Sequence, residues 1–449
     1  MIRDFHRKSN VPEGLSSLKR LFEKASCFLK RPFIRNVAIV ASGTAAAQLI
    51  AVAFSPLITR IFGPEAFGLL GVFKALVATL APIAALTYPI AIVLPKKDSE
   101  AIELMKLSFS IALIVFVIVA IAFWVGGYPL LKLLDSEMIA PYVMLIPLSI
   151  LFAACAQIAQ QWLIRKKQYG ITAKVSVLQA LLLNSAKAGF GLFNPTGKLL
   201  IELATAGHII NAVMFWVGIK RSGGLVNSPA TSENYSGKTL KELAFQYYDF
   251  PLFRAPQVFL NTVSQSLPVL MLASYFGPAS AGFYSIGRTV LGMPSQLISR
   301  SVGDVFYPRV AEAVHKGENI SRLIINATVA LAIIGFLPFA VVVAFGPWVF
   351  SFVFGAEWVK AGEYARWVAF LMFFSFINRP SINAIPALSF QGFFLFYETI
   401  GIVIRTLSLV AGAVIFNDDL IAIVIFSISG VLLNILLIVT TIYRAKRSE

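Results

Sequence analysis

Five positively charged side chains lie inside long apolar stretches of this sequence, where an unpaired charge is costly. They are Lys74, Lys187, Arg254, Arg288 and Arg405. Each should therefore face either an acidic partner or a water-filled cavity. Lysine and arginine bind phosphate and diphosphate groups well, so a cavity that collects these cations would favour an anionic guest.

The spacing of Lys74 and Arg288 coincides with an internal repeat. The two residues are 214 positions apart, and the segments FGPEAFG (62–68) and FGPASAG (276–282) are separated by the same interval. Gly-Pro is typical of a tight turn between two helices. The repeat therefore predicts a cation at the same depth of each half, lining a cavity. The alternative is that both side chains extend to the membrane interface.

Three further cations extend this set. Lys187 and Arg405 form a looser pair, 218 residues apart. Arg254 is predicted near the middle of the seventh helix, from which a side chain does not easily reach either surface. It is the strongest single candidate for binding an anion, and the alternative is a structural ion pair with an acid on another helix.

Acidic residues are fewer within the apolar stretches. Glu202, Glu398 and Asp249 could bind a coupling proton or sodium ion, or they could equally neutralise one of the cations. The sequence has no glycine-rich loop of the nucleotide-hydrolase type and no metal-binding spacing of Cys and His. We therefore expect no catalytic residues, no metal, no cofactor and no ATP-driven motor.

The composition indicates an integral membrane protein. Of 449 residues, 58% are hydrophobic and 13% charged, and the mean hydropathy is +0.79. Soluble domains carry about 25% charged residues, and only lipid tolerates so apolar an exterior. We predict an all-α membrane fold of about twelve transmembrane helices, in two six-helix lobes related as a parallel repeat around a central cavity. The helices are predicted at 36–60, 66–94, 106–128, 138–164, 171–192, 199–219, 244–275, 279–307, 321–345, 358–378, 390–415 and 420–443.

The charge distribution predicts the topology. The net charge is +16, and lysine and arginine concentrate in alternate loops, as the positive-inside rule requires if both termini are cytoplasmic. Nucleic acid is not an expected partner. The predicted units are a basic amphipathic cytoplasmic leader (1–35), an N-lobe (36–220), a cytoplasmic linker (221–243) and a C-lobe (244–449).

Several segments resemble the polysaccharide flippases of the multidrug/oligosaccharidyl-lipid/polysaccharide transporter superfamily, over about residues 36–445. They are FGPEAFGLLGVF, YPIAIVLPKKDSEA, YYDFPLFRAPQVFLNTVSQSLPVLMLASYFGPASAGFYSIGR, SVGDVFYPRVAEA and FGAEWVKAGEYARW. The resemblance implies that the chain moves undecaprenyl-diphosphate-linked oligosaccharides across the bacterial inner membrane by alternating access. These units would serve lipopolysaccharide O-antigen, capsule or exopolysaccharide synthesis, beside a polysaccharide polymerase. It also implies that intramembrane Lys and Arg contact the lipid headgroup.

Three alternative functions remain open at this point. A cation-coupled multidrug exporter of the same superfamily should have an acid-rich cavity. A peptidoglycan-precursor flippase would also need a cavity lined by cations. A membrane-embedded glycosyltransferase or polymerase should have a large outer loop with catalytic residues, and the predicted outer loops are short. We therefore expect a transporter and not an enzyme.

Overall fold

The computed structural model describes the backbone of residues 32–133, 137–224, 239–316, 318–386, 388 and 390–448. The predicted leader lies outside this range except for its last four residues, and so does most of the predicted linker. Within the described ranges the fold consists of helices: α1 Pro32–Ile61, α2 Pro64–Ala84, α3 Tyr88–Ala91, α4 Asp98–Leu133, α5 Leu145–Arg165, α6 Tyr169–Gly191, α7 Gly197–Arg221, α8 Leu240–Gln246, α9 Ala255–Phe276, α10 Pro278–Lys316, α11 Ile320–Phe354, α12 Val359–Ile377, α13 Arg379–Ala384, α14 Gln391–Ile415 and α15 Asp419–Ser448.

The predicted all-α membrane fold is confirmed. Apart from the short helices α3, α8 and α13, the described part of the chain contains twelve long helices. Within the described ranges, eight helices are long and apolar enough to cross a membrane by length and composition. The fully described helices α6, α9 and α12 are not among these eight, because polar or charged residues interrupt their sequences. Such helices suit a wet interior better than a lipid-facing position.

The second predicted helix, 66–94, is wrong at its C-terminal end. Helix α2 stops at Ala84, and Leu86 and Thr87 adopt positive φ angles of 48° and 58° before α3 begins. A β-branched residue with positive φ is strained, and such strain persists only where the surroundings hold it. Here the Thr87 hydroxyl donates to the carbonyl of Phe250 at 2.9 Å.

The seventh predicted helix, 244–275, is interrupted. A short helix, α8, is followed by a π-helical turn at Phe250–Arg254, and α9 begins only at Ala255. Pro251 lies within this turn and Pro256 follows directly after it, and proline removes a helical hydrogen bond. Arg254 therefore lies at the start of α9 and not near the middle of a span.

The two Gly-Pro segments of the repeat pack against each other. A Cβ added at Gly68 would come within 2.9 Å of the Cα of Pro278 and closer still to its carbonyl oxygen. A Cβ added at Gly282 would lie 3.0 Å from the nitrogen of Gly68 and closer still to the carbonyl oxygen of Pro64. The contact is reciprocal, as expected when a local two-fold relation brings equivalent surfaces together. Helices α2 and α10 thus meet without side chains between them.

Aromatic residues close the same end of the molecule. Trp358, almost fully buried, lies between Phe67 of α2 and Phe283 of α10, with ring centroids 5.3 and 6.1 Å away. Its indole Nε1 donates to the carbonyl of Thr59 at 3.1 Å. We call the Gly-Pro contact together with Trp358 the seal. The seal joins the N- and C-terminal halves at the ends of α1 and α9.

Candidate functional site

A cavity of about 470 Å³ lies between the two halves, beyond the seal. Three of the five predicted cations line it: Lys74 from α2, Lys187 from α6 and Arg288 from α10. Hydroxyl and amide groups complete its polar surface, and among the described residues its wall contains no Asp or Glu. Its polar side chains, besides the cations, are Ser55, Asn184, Thr262, Gln265, Ser266, Ser285 and Thr289.

Lys74 and Arg288 occupy equivalent positions in the two halves. Each lies ten residues after the Gly-Pro proline that begins its helix, which places both about 15 Å along the helix axis from that proline. The repeat therefore places one cation of each half at the same height on the wall of the cavity.

The N-terminal half supplies a cluster of basic groups. Lys74 is exposed to the cavity although it lies deep within the bundle. Lys187 is half-buried, and its charge is coupled to that of Lys74. His208 of α7 also lies within electrostatic range of Lys74. Two lysines close together without an intervening acid stabilise a bound anion and repel a cation.

Arg288 is held in place by α9. Its Nη1 donates to the backbone carbonyl of Gln265, and its Nη2 donates to Gln265 Oε1 at 3.0 Å. The guanidinium also lies beside the hydroxyl of the buried Tyr284. These contacts fix a planar donor group at the cavity wall, and a fixed arginine suits a diphosphate better than a mobile one.

Arg405 and Arg254 do not line this cavity. Arg405 lies on α14, half-buried, within electrostatic range of Tyr284, and its Nε is buried with no hydrogen-bond partner among the described residues. Arg254 is exposed at the start of α9, where its Nη1 donates to Gln257 Oε1 at 2.9 Å. It lies 22 residues from Phe276, so about 33 Å of helix separates it from the seal.

The three predicted coupling acids also lie outside the cavity. Glu202 is exposed on α7, with Oε1 3.9 Å from the Nζ of Lys198. Asp249 is exposed just before the π-helical turn. Glu398 is half-buried on α14, two turns from Arg405. No group of three or more His, Cys, Asp or Glu residues able to hold a metal occurs in the described part of the chain.

Sequence reasoning missed Gln265, Asn184 and His208 as contributors to the site. Uncharged amides in an apolar helix were not counted as candidates, although they too are costly in lipid. His208 was not counted as a candidate either. Its proximity to Lys74 depends on how α7 packs beside α2, and local sequence patterns do not predict that packing.

Comparisons with known proteins agree with this architecture. Residues 57–363 match the family model of a polysaccharide biosynthesis protein. The chain is 22% identical over 322 residues to the succinoglycan biosynthesis transport protein ExoT of Rhizobium meliloti (strain 1021), a match that covers 68% of this chain and 59% of that protein. The chain thus spans less than two thirds of the length of this relative.

Two solved structures share the fold. An inward-facing multidrug resistance MATE family transporter of the MOP superfamily superposes with a TM-score of 0.71 at 13% identity, covering 90% of this chain and 95% of that one. The lipid II flippase MurJ, in an inward closed conformation, superposes with a TM-score of 0.67 at 12% identity, covering 90% of this chain and 87% of that one. Because the family model matches more than half of the sequence, the chain belongs to the family of polysaccharide biosynthesis proteins, and it has the fold of a multi-pass helical membrane protein.

Proposed function

We propose that this chain is a flippase that moves undecaprenyl-diphosphate-linked oligosaccharides across the bacterial inner membrane, for O-antigen, capsule or exopolysaccharide synthesis. The observation that carries the proposal is the meeting of Lys74, Lys187 and Arg288 in one cavity whose described wall contains no carboxylate. A diphosphate headgroup supplies the negative charge that these cations lack. The hydrocarbon chain of the substrate can remain in the lipid while the head crosses between the halves.

The cations act by replacing the water around the diphosphate. A charged phosphate oxygen cannot enter a low-dielectric interior unless donors compensate for its lost hydration. Arg288 offers a planar fork that Gln265 already orients, and Lys74 and Lys187 add two ammonium groups from the opposite half. A hydrogen bond to a charged group contributes roughly 1.5–3 kcal/mol. Loss of one lysine should therefore weaken diphosphate binding by about 10- to 100-fold.

The position of the seal supports transport by alternating access. The halves meet at the Gly-Pro end, so a substrate in the cavity leaves on that side only if α2 and α10 separate there. The basic loops support a cytoplasmic location of both termini, which puts the Gly-Pro end on the periplasmic side. The seal would then open toward the periplasm, in the direction that the export of sugar units requires.

Coupling to an ion gradient is part of the same proposal. Of the three acids, Glu398 has the best position, since it is half-buried on the helix that carries Arg405. Glu202 and Asp249 are exposed, and a carboxylate in contact with bulk water is a poor sensor of the binding state. A polysaccharide polymerase is the expected partner on the periplasmic side, because it consumes the translocated units.

The test is binding of undecaprenyl diphosphate to the purified full-length protein in nanodiscs. We expect saturable binding that competes with inorganic pyrophosphate and weakens at least tenfold in Lys187→Ala. Lys198→Ala is the matched control, since this lysine is exposed at the start of α7 and lies outside the cavity. Equal affinities of the wild type, Lys187→Ala and Lys198→Ala, with normal folding, would remove the cavity cations from the binding site.

A further inference from the structure

One face of α9 carries polar side chains at helical spacing. Arg254, Gln257, Asn261 and Gln265 follow one another at intervals of three and four residues, so they share a face. We name them the α9 polar stripe. All four side chains are exposed. The stripe extends about 16 Å along the helix axis, from the end of α9 that is remote from the seal to the wall of the cavity.

Hydrogen bonds connect the stripe to the cation site. Arg254 Nη1 donates to Gln257 Oε1 at 2.9 Å, and Gln265 Nε2 donates to Asn261 Oδ1 at 2.7 Å. Arg288 Nη2 in turn donates to Gln265 Oε1 at 3.0 Å. The amide oxygens are thus occupied. Among the described residues nothing accepts from Gln257 Nε2 or Asn261 Nδ2, which leaves both amides as free donors on the open face.

The internal repeat indicates that helix packing does not require this stripe. At the offset of 214 residues, Gly43, Ala47 and Ala51 of α1 are the counterparts of Gln257, Asn261 and Gln265. Helix α1 buries part of this face against α6, where a Cβ at Gly43 would lie 2.7 Å from the Cα of Ala173. The equivalent face of α9 is left uncovered. Free amide donors at membrane depth are costly against lipid, so they must meet water or a ligand.

We propose that the α9 polar stripe binds the sugar part of the substrate, an inference that rests on the proposed function. Neutral amide donors match the hydroxyl and ring oxygens of a sugar, which carry no charge for a lysine to attract. Gln265 touches the arginine of the diphosphate site, and the stripe leads away from it toward the open end. An oligosaccharide attached to the diphosphate would therefore lie along Asn261 and Gln257, with its distal residue near Arg254.

This arrangement also defines a substrate class. The sugars next to the diphosphate meet only amides, so they should be uncharged. The distal sugar meets the guanidinium of Arg254, which favours a carboxylate, pyruvyl or other acidic substituent there. The cavity cations then determine affinity for any polyprenyl diphosphate, while the stripe determines which glycan is accepted.

The first experiment asks whether the stripe faces water. In a full-length Cys27→Ser, Cys155→Ala background, single cysteines at Gln257, Asn261 and Leu260 are labelled with a membrane-impermeant maleimide in permeabilised cells. Leu260 is the matched control, because it is also exposed but lies about 100° around the helix from Asn261, on the apolar flank of the same turn. We expect cysteines at 257 and 261 to react at least tenfold faster than a cysteine at 260. Equal rates would place the stripe against lipid and overturn the inference.

The second experiment asks whether the stripe binds sugar. Two probes are compared in nanodiscs: bare undecaprenyl diphosphate, and the lipid-linked oligosaccharide extracted from cells that make it. We expect the wild type to bind the oligosaccharide-bearing lipid about tenfold more tightly. The double variant Gln257→Leu, Asn261→Leu should lose this difference and keep its affinity for the bare lipid. Lys187→Ala should weaken the binding of both, and Asn194→Ala, an exposed amide in the α6–α7 loop, should change neither.

The outcomes separate the two proposals. If the wild type binds both lipids equally, or the double variant keeps the difference between them, the sugar role of the stripe is refuted and the flippase proposal stands. If the wild type binds neither lipid, the flippase proposal fails, and the sugar role fails with it.

Discussion

Replacement of Gly68 by alanine places a methyl group in the tightest contact between the two halves. The new Cβ would lie 2.9 Å from the Cα of Pro278, and closer still to its carbonyl oxygen. Carbon atoms in ordinary contact are about 3.5–4.0 Å apart, so α2 and α10 must separate by about 1 Å or the helices must rotate. Both neighbouring atoms belong to backbone, which cannot move aside as a flexible side chain can.

The magnitude follows from the rigidity of this contact. Overpacking of a well-packed site costs about 1–3 kcal/mol. The cost applies only to the state in which the seal is closed, because the contact is absent once α2 and α10 have parted. The ratio of seal-open to seal-closed molecules should therefore rise about 5- to 150-fold while the open state is the minor one.

The assay is labelling of a single cysteine at Thr289, which lines the cavity. In the background without Cys27 and Cys155, an impermeant maleimide is applied to intact cells from the Gly-Pro side. We expect Gly68→Ala to increase the labelling rate at least fivefold, and Gly282→Ala to do the same, since the contact is reciprocal. Gly189→Ala is the control, because a Cβ there meets no atom within 4 Å.

The result that would refute this reasoning is an unchanged labelling rate in both variants with normal thermal stability. The Gly-Pro contact would then not be the barrier between the cavity and that side of the membrane. If Gly68→Ala alone fails to express, the labelling rate of Gly282→Ala tests the prediction instead.

Three further outcomes are expected. Trp358→Phe removes the hydrogen bond to the Thr59 carbonyl and should destabilise the sealed state by about 1 kcal/mol, read as faster labelling of the same cysteine. Arg165→Leu should lower the free energy of unfolding by about 3 kcal/mol, measured by thermal denaturation, because it leaves Asp98 with one partner fewer and the Pro95 carbonyl without its donor. The control is Lys106→Ala, an exposed residue for which a change below about 1 kcal/mol is expected. An equally small change for Arg165→Leu would contradict this. Glu398→Gln should reduce polysaccharide export more than Glu202→Gln, since Glu398 is half-buried between helices and Glu202 is exposed. Equal export in the two variants would exclude Glu398 from coupling.

The class of protein and the repeat could be predicted from the sequence because they depend on local chemistry. In lipid, an apolar run of about 20 residues can satisfy its backbone hydrogen-bonding groups only as a helix. Two Gly-Pro segments at the same interval as Lys74 and Arg288 require no knowledge of packing to be recognised. The exact ends of α2 and α9 could not be predicted, because the positive φ angles of Leu86 and Thr87 are held by a contact with residue Phe250 from the other half.

Only the tertiary structure decided which charges act together. Lys187 is more than a hundred residues from Lys74 in sequence, and it reaches the same cavity because α6 packs along α1 and ends, at Gly191, against Phe62. Arg254 looked equally buried in the sequence, but the break at Phe250–Arg254 places it at a helix end. A local pattern determines whether a residue lies in a helix, whereas the direction in which it faces depends on the helices packed around it. For that reason the sequence alone determined that cations lie within the membrane, and the fold determined which of them meet.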